Sequence, residues 1–235
     1  VKFFNCSFNL NVGTEGYGVI LSVVDGANDR IEFVDCDFDY NDDEGIVLYA
    51  GSDDVRFIRC SSSNGGQSGG HIAGTCTNVY FRDCKFCDNT NTGFSVHPSS
   101  GSISEVTFDG CIVHDNGQRG IEAHADYLSI KNCSVARNQL QGIFLYYTTP
   151  LLCHIHGNRV YNNGLESPYR AGLYLNGATG ALVMNNIFFD DQETATQTYG
   201  IEEINTCGAN YYYNNLAYRN KTGGFSLQGS AVEAN

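Results

Sequence analysis

The stretch Val106-Thr107-Phe108-Asp109-Gly110-Cys111-Ile112-Val113-His114-Asp115-Asn116-Gly117-Gln118-Arg119-Gly120-Ile121-Glu122-Ala123-His124 decides the fold. It reads apolar-x-aromatic-x-x-Cys-x-apolar, then a polar turn with an asparagine, then Gly-apolar-x-apolar. The order recurs along the chain. Cys6, Cys36, Cys60, Cys84, Cys111 and Cys133 form one column, and Asn158, Asn186 and Asn214 continue it at intervals of 22 to 30 residues. The segments begin at Val1, Ile31, Val55, Val79, Val106, Leu128, Cys153, Ala181 and Ala209. A period in the twenties marks a solenoid, in which each repeat stacks only on its neighbours.

Each repeat holds three short stretches of alternating pattern, the signature of strands. Two residues into each segment stand Phe3, Phe33, Phe57, Phe81, Phe108, Ile130, Ile155, Val183 and Tyr211. Asparagines recur in the turn at Asn11, Asn41, Asn89, Asn116, Asn138 and Asn163. Their amides can satisfy the backbone of the next coil at a corner. The pattern predicts an all-β, right-handed parallel β-helix of about nine coils with three strands each, spanning residues 1–235 as one domain. At about 4.8 Å per coil the rod is about 40 Å long. No polar capping unit is recognisable at either end, so the chain reads as a fragment or a processed part of a longer one.

The net charge is −13 and the pI about 4.6. That excludes the basic stripe a nucleic-acid surface needs and simple attraction to anionic lipid. No apolar run is long enough to span a bilayer. The six column cysteines read as inward, reduced thiols acting as small hydrophobes. Cys76, Cys87, Cys153 and Cys207 lie off the column and their state is open. Asn220-Lys221-Thr222 is an N-glycosylation pattern. Asp42-Asp43 and Asp53-Asp54 read as solvated turn residues, with weak Ca²⁺ binding the other role open to them. The reading requires no cofactor.

Alternation makes Ile46, Leu48, Phe94, Val96, Ile121, Ala123, Ile143, Leu145, Leu173 and Leu175 of the third strand inward. The outward side then collects Val47, Tyr49, His71, Ala73, Ser95, His97, Glu122, His124, Phe144, Tyr146, Tyr174 and Asn176, with Glu202, Ser226 and Gln228 beyond. His97, His124, Glu122 and Tyr146 fall within one or two rungs of each other and are the candidate catalytic set. His71, Arg119, Phe144, Arg170, Tyr174, Asn176 and Glu202 are the candidate substrate contacts, with aromatic rings to stack on sugars and arginines for a carboxylate. Mixed polar and aromatic ladders also occur on sheets with no such role.

The whole chain resembles the pectin-lyase-like right-handed β-helix superfamily. The runs Gly93-Phe94-Ser95-Val96-His97-Pro98, Val113-His114-Asp115-Asn116-Gly117, Ala125-Asp126-Tyr127-Leu128 and Tyr199-Gly200-Ile201-Glu202-Glu203 resemble the β-helix module of mannuronan carbon-5 epimerases. That family carries Tyr-Gly-Phe-Asp-Pro-His-Glu on its catalytic strand and an aspartate on the next coil. His97 stands where the family has its histidine. Thr92 replaces the tyrosine, Ser95 the first aspartate and His124 the next-coil aspartate, and the proline-histidine order is reversed. The resemblance implies a polysaccharide ligand.

Three functions follow. The first is an extracellular or cell-surface protein that binds or processes a polysaccharide on the third-strand face. If it is catalytic, β-elimination or epimerisation at a uronate fits. His97 or His124 takes the carbon-5 proton, Tyr146 donates one, and Arg119 or a bound cation steadies the carboxylate. The second is a structural segment of a surface layer, sheath, filament or fibre, associating end to end. The third is a Zn²⁺ or Cu²⁺ site on His71, His97, Glu122 and His124.

Overall fold

Alternating apolar side chains can fill a narrow solenoid only if every coil places the same residue at the same angle. The computed structural model, which describes residues 1–22, 30–49, 51–99, 101–146, 152–166, 171–228 and 231–232, has that arrangement. Three parallel sheets run side by side, and every named strand pairing is parallel. The first sheet has ten strands, from Lys2–Phe4 to Ala231–Val232. The second has six, from Lys85–Cys87 to Leu216–Tyr218. The third has nine, from Val19–Leu21 to Gly223–Ser226.

The register matches like with like. Phe3, Phe33, Phe57, Phe81 and Phe108 stack at centroid distances of 4.8, 4.9, 5.1 and 4.9 Å, with planes within 11°. Phe33, Phe57, Phe81 and Phe108 are fully buried. Burying such a ring contributes about 1.5–3 kcal/mol, and each pair adds about 0.5–1.5 kcal/mol.

The cysteine column lies in the turn between the first and second sheets. From Cys36 to Cys133 each thiol reaches the carbonyl two residues before it and one on the previous coil. Cys84 Sγ donates to Arg82 O at 3.4 Å and to Phe57 O at 3.3 Å. At Asn158 the amide does the same work: Nδ2 donates to Ile130 O at 2.8 Å and to Asn186 Oδ1 at 2.9 Å. A left-handed residue precedes each column member, among them Asn5, Asp35, Arg59, Asp83, Asn132, Asn185 and Asn214. This corrects the register of the last coil. Asn214 is the left-handed turn residue (φ 48°), and Asn215 takes the ladder place, accepting from Asn186 Nδ2 at 2.9 Å. Tyr212, not Tyr211, pairs with Val183 and fills the core. The run of three tyrosines made the two registers equivalent by pattern alone.

The second ladder lies in the turn between the second and third sheets. Asn89, Asn116, Asn138 and Asn163 pass one amide bond to the next at 2.8–3.0 Å. Gln197 and Asn220 extend it, at 3.1 and 2.8 Å. Asn220 also donates to Phe188 O, so the side chain of the glycosylation pattern is occupied in the ladder. The glycine opening the third strand is required by close approach. A Cβ on Gly93 would stand 2.6 Å from Gly120 O and 2.8 Å from Asn116 Nδ2.

All ten cysteines are free thiols, nine of them buried. Burial pushes the Cys36, Cys76 and Cys207 thiols up, and that of Cys87 up to about 11. Asp42 and Asp43 lie in a bend as expected, but Asp53 and Asp54 belong to the strand Ser52–Ile58. Asp54 is held by Arg30 at 2.8 Å and Arg56 at 3.0 Å, so it is an ion-pair centre within a strand and not a turn residue.

Candidate functional site

The third sheet carries its inward residues as the alternation demands. Ile46, Leu48, Phe94, Val96, Ile121, Ala123, Ile143, Leu145, Leu173 and Leu175 are all fully buried. Two columns therefore face outward. One is set by direct register: Ile20, Val47, His71, Ser95, Glu122, Phe144, Tyr174, Glu202, Ser226. The other runs through His97 and His124, whose amides bond Ile72 O and Val96 O, and through Tyr146 and Asn176, which pair. Arg170 lies outside the described residues.

Three ring side chains converge on this face. The His97 and His124 centroids are 6.2 Å apart, His97 and Tyr146 5.5 Å, and His124 and Tyr146 5.4 Å. Burial holds the His124 imidazole below its usual range, and the neighbouring His97 adds to this. Burial also lowers His71, whose Nε2 lies 3.3 Å from His97 O. Burial, then the charge of Glu122, pushes the Tyr146 phenol up to about 12. At neutral pH the set thus offers a neutral imidazole as acceptor and a protonated phenol as donor.

Glu122 is tied to Arg119, whose Nη1 donates to Glu122 Oε2 at 2.9 Å. Arg119 Nε donates to Gln141 Oε1 at 3.2 Å, and its guanidinium lies 4.5 Å over the Phe144 ring. Arg119 is therefore engaged three ways before any ligand arrives, and a carboxylate would compete with Glu122 for it. Phe144 and Tyr174 point outward yet are buried, at 8% and 5% exposure. They pack with Ala171 and against Tyr146, Tyr199 and Ile204. Outward rings at adjacent rungs cover each other, so these two form a floor, and Tyr146 is the ring that stays half-open. The contacts of Gln141, in the turn before the strand Ile143–Tyr146, and of Ile204, at the end of Tyr199–Ile204, are not readable from alternation along the strands.

Asn176 accepts from Asn205 Nδ2 at 2.9 Å. Burial pushes the Glu202 carboxyl up, and its Oε2 is buried without a hydrogen-bond partner among the described residues. Among the described residues no group of three or more His, Cys, Asp or Glu is placed to hold a metal ion. His71, His97, Glu122 and His124 share the face but do not converge on one point.

Together the sheets, ladders and outward face define a right-handed parallel β-helix of the pectin-lyase-like kind. The family described as right handed beta helix region matches residues 1–104 and 78–235, and the chain belongs to it. A comparison with curated proteins yields no match. Among solved structures, the chain is similar to the Azotobacter vinelandii mannuronan C-5 epimerase AlgE4 A-module. The TM-score is 0.78 at 16% identity, over 87% of this chain and 58% of that one. It is also similar to a periplasmic alginate epimerase AlgG variant (TM-score 0.70, 12% identity, 87% of this chain and 50% of that one). A third is pectate lyase Pel9A (0.60, 14%, 94% and 68%). The chain thus spans 58% of the AlgE4 module's length and half of AlgG's. At these identities the likeness establishes the fold.

Proposed function

We propose that this β-helix binds and processes a polysaccharide along the outer face of the third sheet, outside the cytoplasm. The observation that carries the reading is the convergence of His97, His124 and Tyr146 within 6.2 Å of one another over a buried aromatic floor. A linear polymer lying along the axis meets a new outward side chain about every 4.8 Å. Tyr146 supplies apolar contact, and Asn176, His71 and Glu202 supply hydrogen bonds. The printed names of the structural neighbours, epimerases and a lyase, support a carbohydrate-active role.

Proton transfer at carbon 5 of a uronate is the chemistry the set serves best. His124 takes the carbon-5 proton. In elimination the C–H electron pair becomes the carbon 4–carbon 5 double bond, and the bond to the glycosidic oxygen breaks. Tyr146 then protonates that oxygen. In epimerisation Tyr146 instead delivers a proton to carbon 5 on the face opposite His124, and exchange with solvent restores both groups. Hydrolysis is disfavoured: Glu122 and Glu202 are three rungs apart, about 14 Å, beyond the about 5–9.5 Å that paired carboxylates use.

Incubation with mannuronate, guluronate and galacturonate polymers tests the reading. Elimination is followed by ultraviolet absorbance of the unsaturated product, and epimerisation by solvent deuterium entering carbon 5. Turnover abolished by His124→Ala supports it. Uronate binding and turnover identical in wild type and in a His97→Ala/His124→Ala protein discards it.

A further inference from the structure

A second candidate site lies on the first sheet, around the corner from the third. Ser52–Ile58, Cys76–Arg82 and Ile103–Asp109 each carry a left-handed residue at the third position: Asp54, Asn78 and Glu105, with φ of 49°, 52° and 56°. Tyr127 (φ 54°) repeats the feature one coil on. A left-handed residue inside a strand bends it and re-aims its side chain. Here the bends are stacked, so they make a trough running along the axis. Its centre is a cavity of about 250 Å³ lined by Arg56, Asn78, Val79, Tyr80, Glu105 and Thr107. Tyr127 is 58% exposed, at the next rung on from Glu105.

The polar groups of the lining are only partly engaged. Arg56 is occupied by Asp54, through Nε and Nη2, each at 3.0 Å. Tyr80 donates its hydroxyl to Asp109 at 3.2 Å. Asn78 spends its amide nitrogen on Asp54 Oδ1 at 3.3 Å. The Glu105 carboxylate and the Thr107 hydroxyl have no hydrogen-bond partner among the described residues. The trough thus presents the unpaired Glu105 carboxylate and Thr107 hydroxyl beside Arg56, whose partner Asp54 also holds Arg30, in a protein of net charge −13. The protein's net charge disfavours a polyanion, whereas a hydroxyl-rich chain, donor and acceptor by turns, matches this mixed lining. The exposed Tyr127 ring adds a surface for the apolar side of a sugar.

We propose that this trough is a second saccharide site, taking a neutral, hydroxyl-rich glycan chain and separate from the face on the third sheet. It goes beyond the third-sheet reading and stands whether or not that face turns over a uronate. Calorimetric titration with hexamers of β-1,4-linked glucose, mannose and xylose tests it, with a mannuronate hexamer as the charged control. At least one neutral hexamer binds wild type, and a Tyr146→Ala/Tyr174→Ala protein binds it equally. Glu105→Ala/Tyr127→Ala, checked for an unchanged melting temperature, raises its Kd about tenfold, or about 1.4 kcal/mol. That variant leaves uronate handling on the third sheet unchanged. The proposal is overturned if no neutral hexamer binds wild type. It is equally overturned if the trough variant binds as wild type does, or if the third-sheet variant alone loses neutral binding.

Discussion

The inside of the coil and the outside of its third sheet are built from alternate residues of the same strands, yet they obey different rules. Inward, residue type is repeated from rung to rung: Phe33 lies on Phe57, Phe57 on Phe81 and Phe81 on Phe108, all within 11° of parallel. Outward, it changes at every rung, from Ser95 to Glu122, Phe144, Tyr174 and Glu202. Repetition is what stacking requires, since like rings and like amides pack at one coil spacing. Variation brings unlike chemical groups within reach of a single ligand. The two faces therefore respond to substitution in different currencies, stability within and turnover or binding without.

The largest break in that comparison is His124→Ala. Loss of a positioned base reduces kcat/KM about 10²–10⁴-fold with the melting temperature nearly unchanged. Steady-state kinetics beside thermal unfolding checks both halves, and a collapsed melting temperature would place His124 among the structural residues. Next comes Phe81→Ala, which removes a ring held on both sides and destabilises by about 3–5 kcal/mol in denaturant unfolding. A midpoint shift no larger than that of Lys221→Ala removes Phe81 from the core.

Gly93→Ala should cost about 1–3 kcal/mol by overpacking, because the added methyl meets the Gly120 carbonyl and the Asn116 amide. Wild-type stability in this variant would show that the ladder can move aside. Two further predictions concern pH. His124 must be neutral to act as base, so kcat/KM falls only as pH drops through its lowered pKa, below the usual imidazole value. Burial, with Asp43 beside it, raises Glu44 from 4.5 to about 7. A carboxyl raised on folding favours the fold fully below pH 4.5, and that contribution is lost as pH rises through about 7. Glu44→Gln therefore gains stability relative to wild type at pH 8 and not at pH 4. Equal differences at the two pH values would show that Glu44 ionises in the fold as it does in the unfolded chain.

Much of the fold was legible because periodicity is a physical requirement. The cysteine column, the phenylalanine column and the six turn asparagines fall where the repeats placed them. Legibility failed where composition was degenerate. Tyr211-Tyr212-Tyr213 and Asn214-Asn215 read equally well in two registers, and the ladder bond from Asn186 to Asn215 and the pairing of Tyr212 with Val183 separate them. Of the later ladder partners, Gln197 breaks the asparagine pattern with a longer amide side chain, and Asn220 reads by sequence as part of a glycosylation pattern. On the candidate site, alternation assigned the outward columns residue by residue. It could not show that Phe144 and Tyr174 are covered or that Arg119 is already engaged.

The sequence by itself thus determined, outside the last coil, which residues point inward, which stack and which share an outward face, since strand period and repeat length settle those questions wherever the repeat residues are distinct. The tertiary structure alone decided what those outward residues do to one another. It brought His97, His124 and Tyr146 within ring contact, tied Arg119 to Glu122 and Gln141, and left a Glu202 oxygen buried without a donor among the described residues. The physical reason is the difference in range. Strand direction is a local property of the backbone, whereas rotamers and desolvation are set largely by side chains from other coils, as Gln141 acts on Arg119 and Tyr146 on His124, each 22 residues away in the chain.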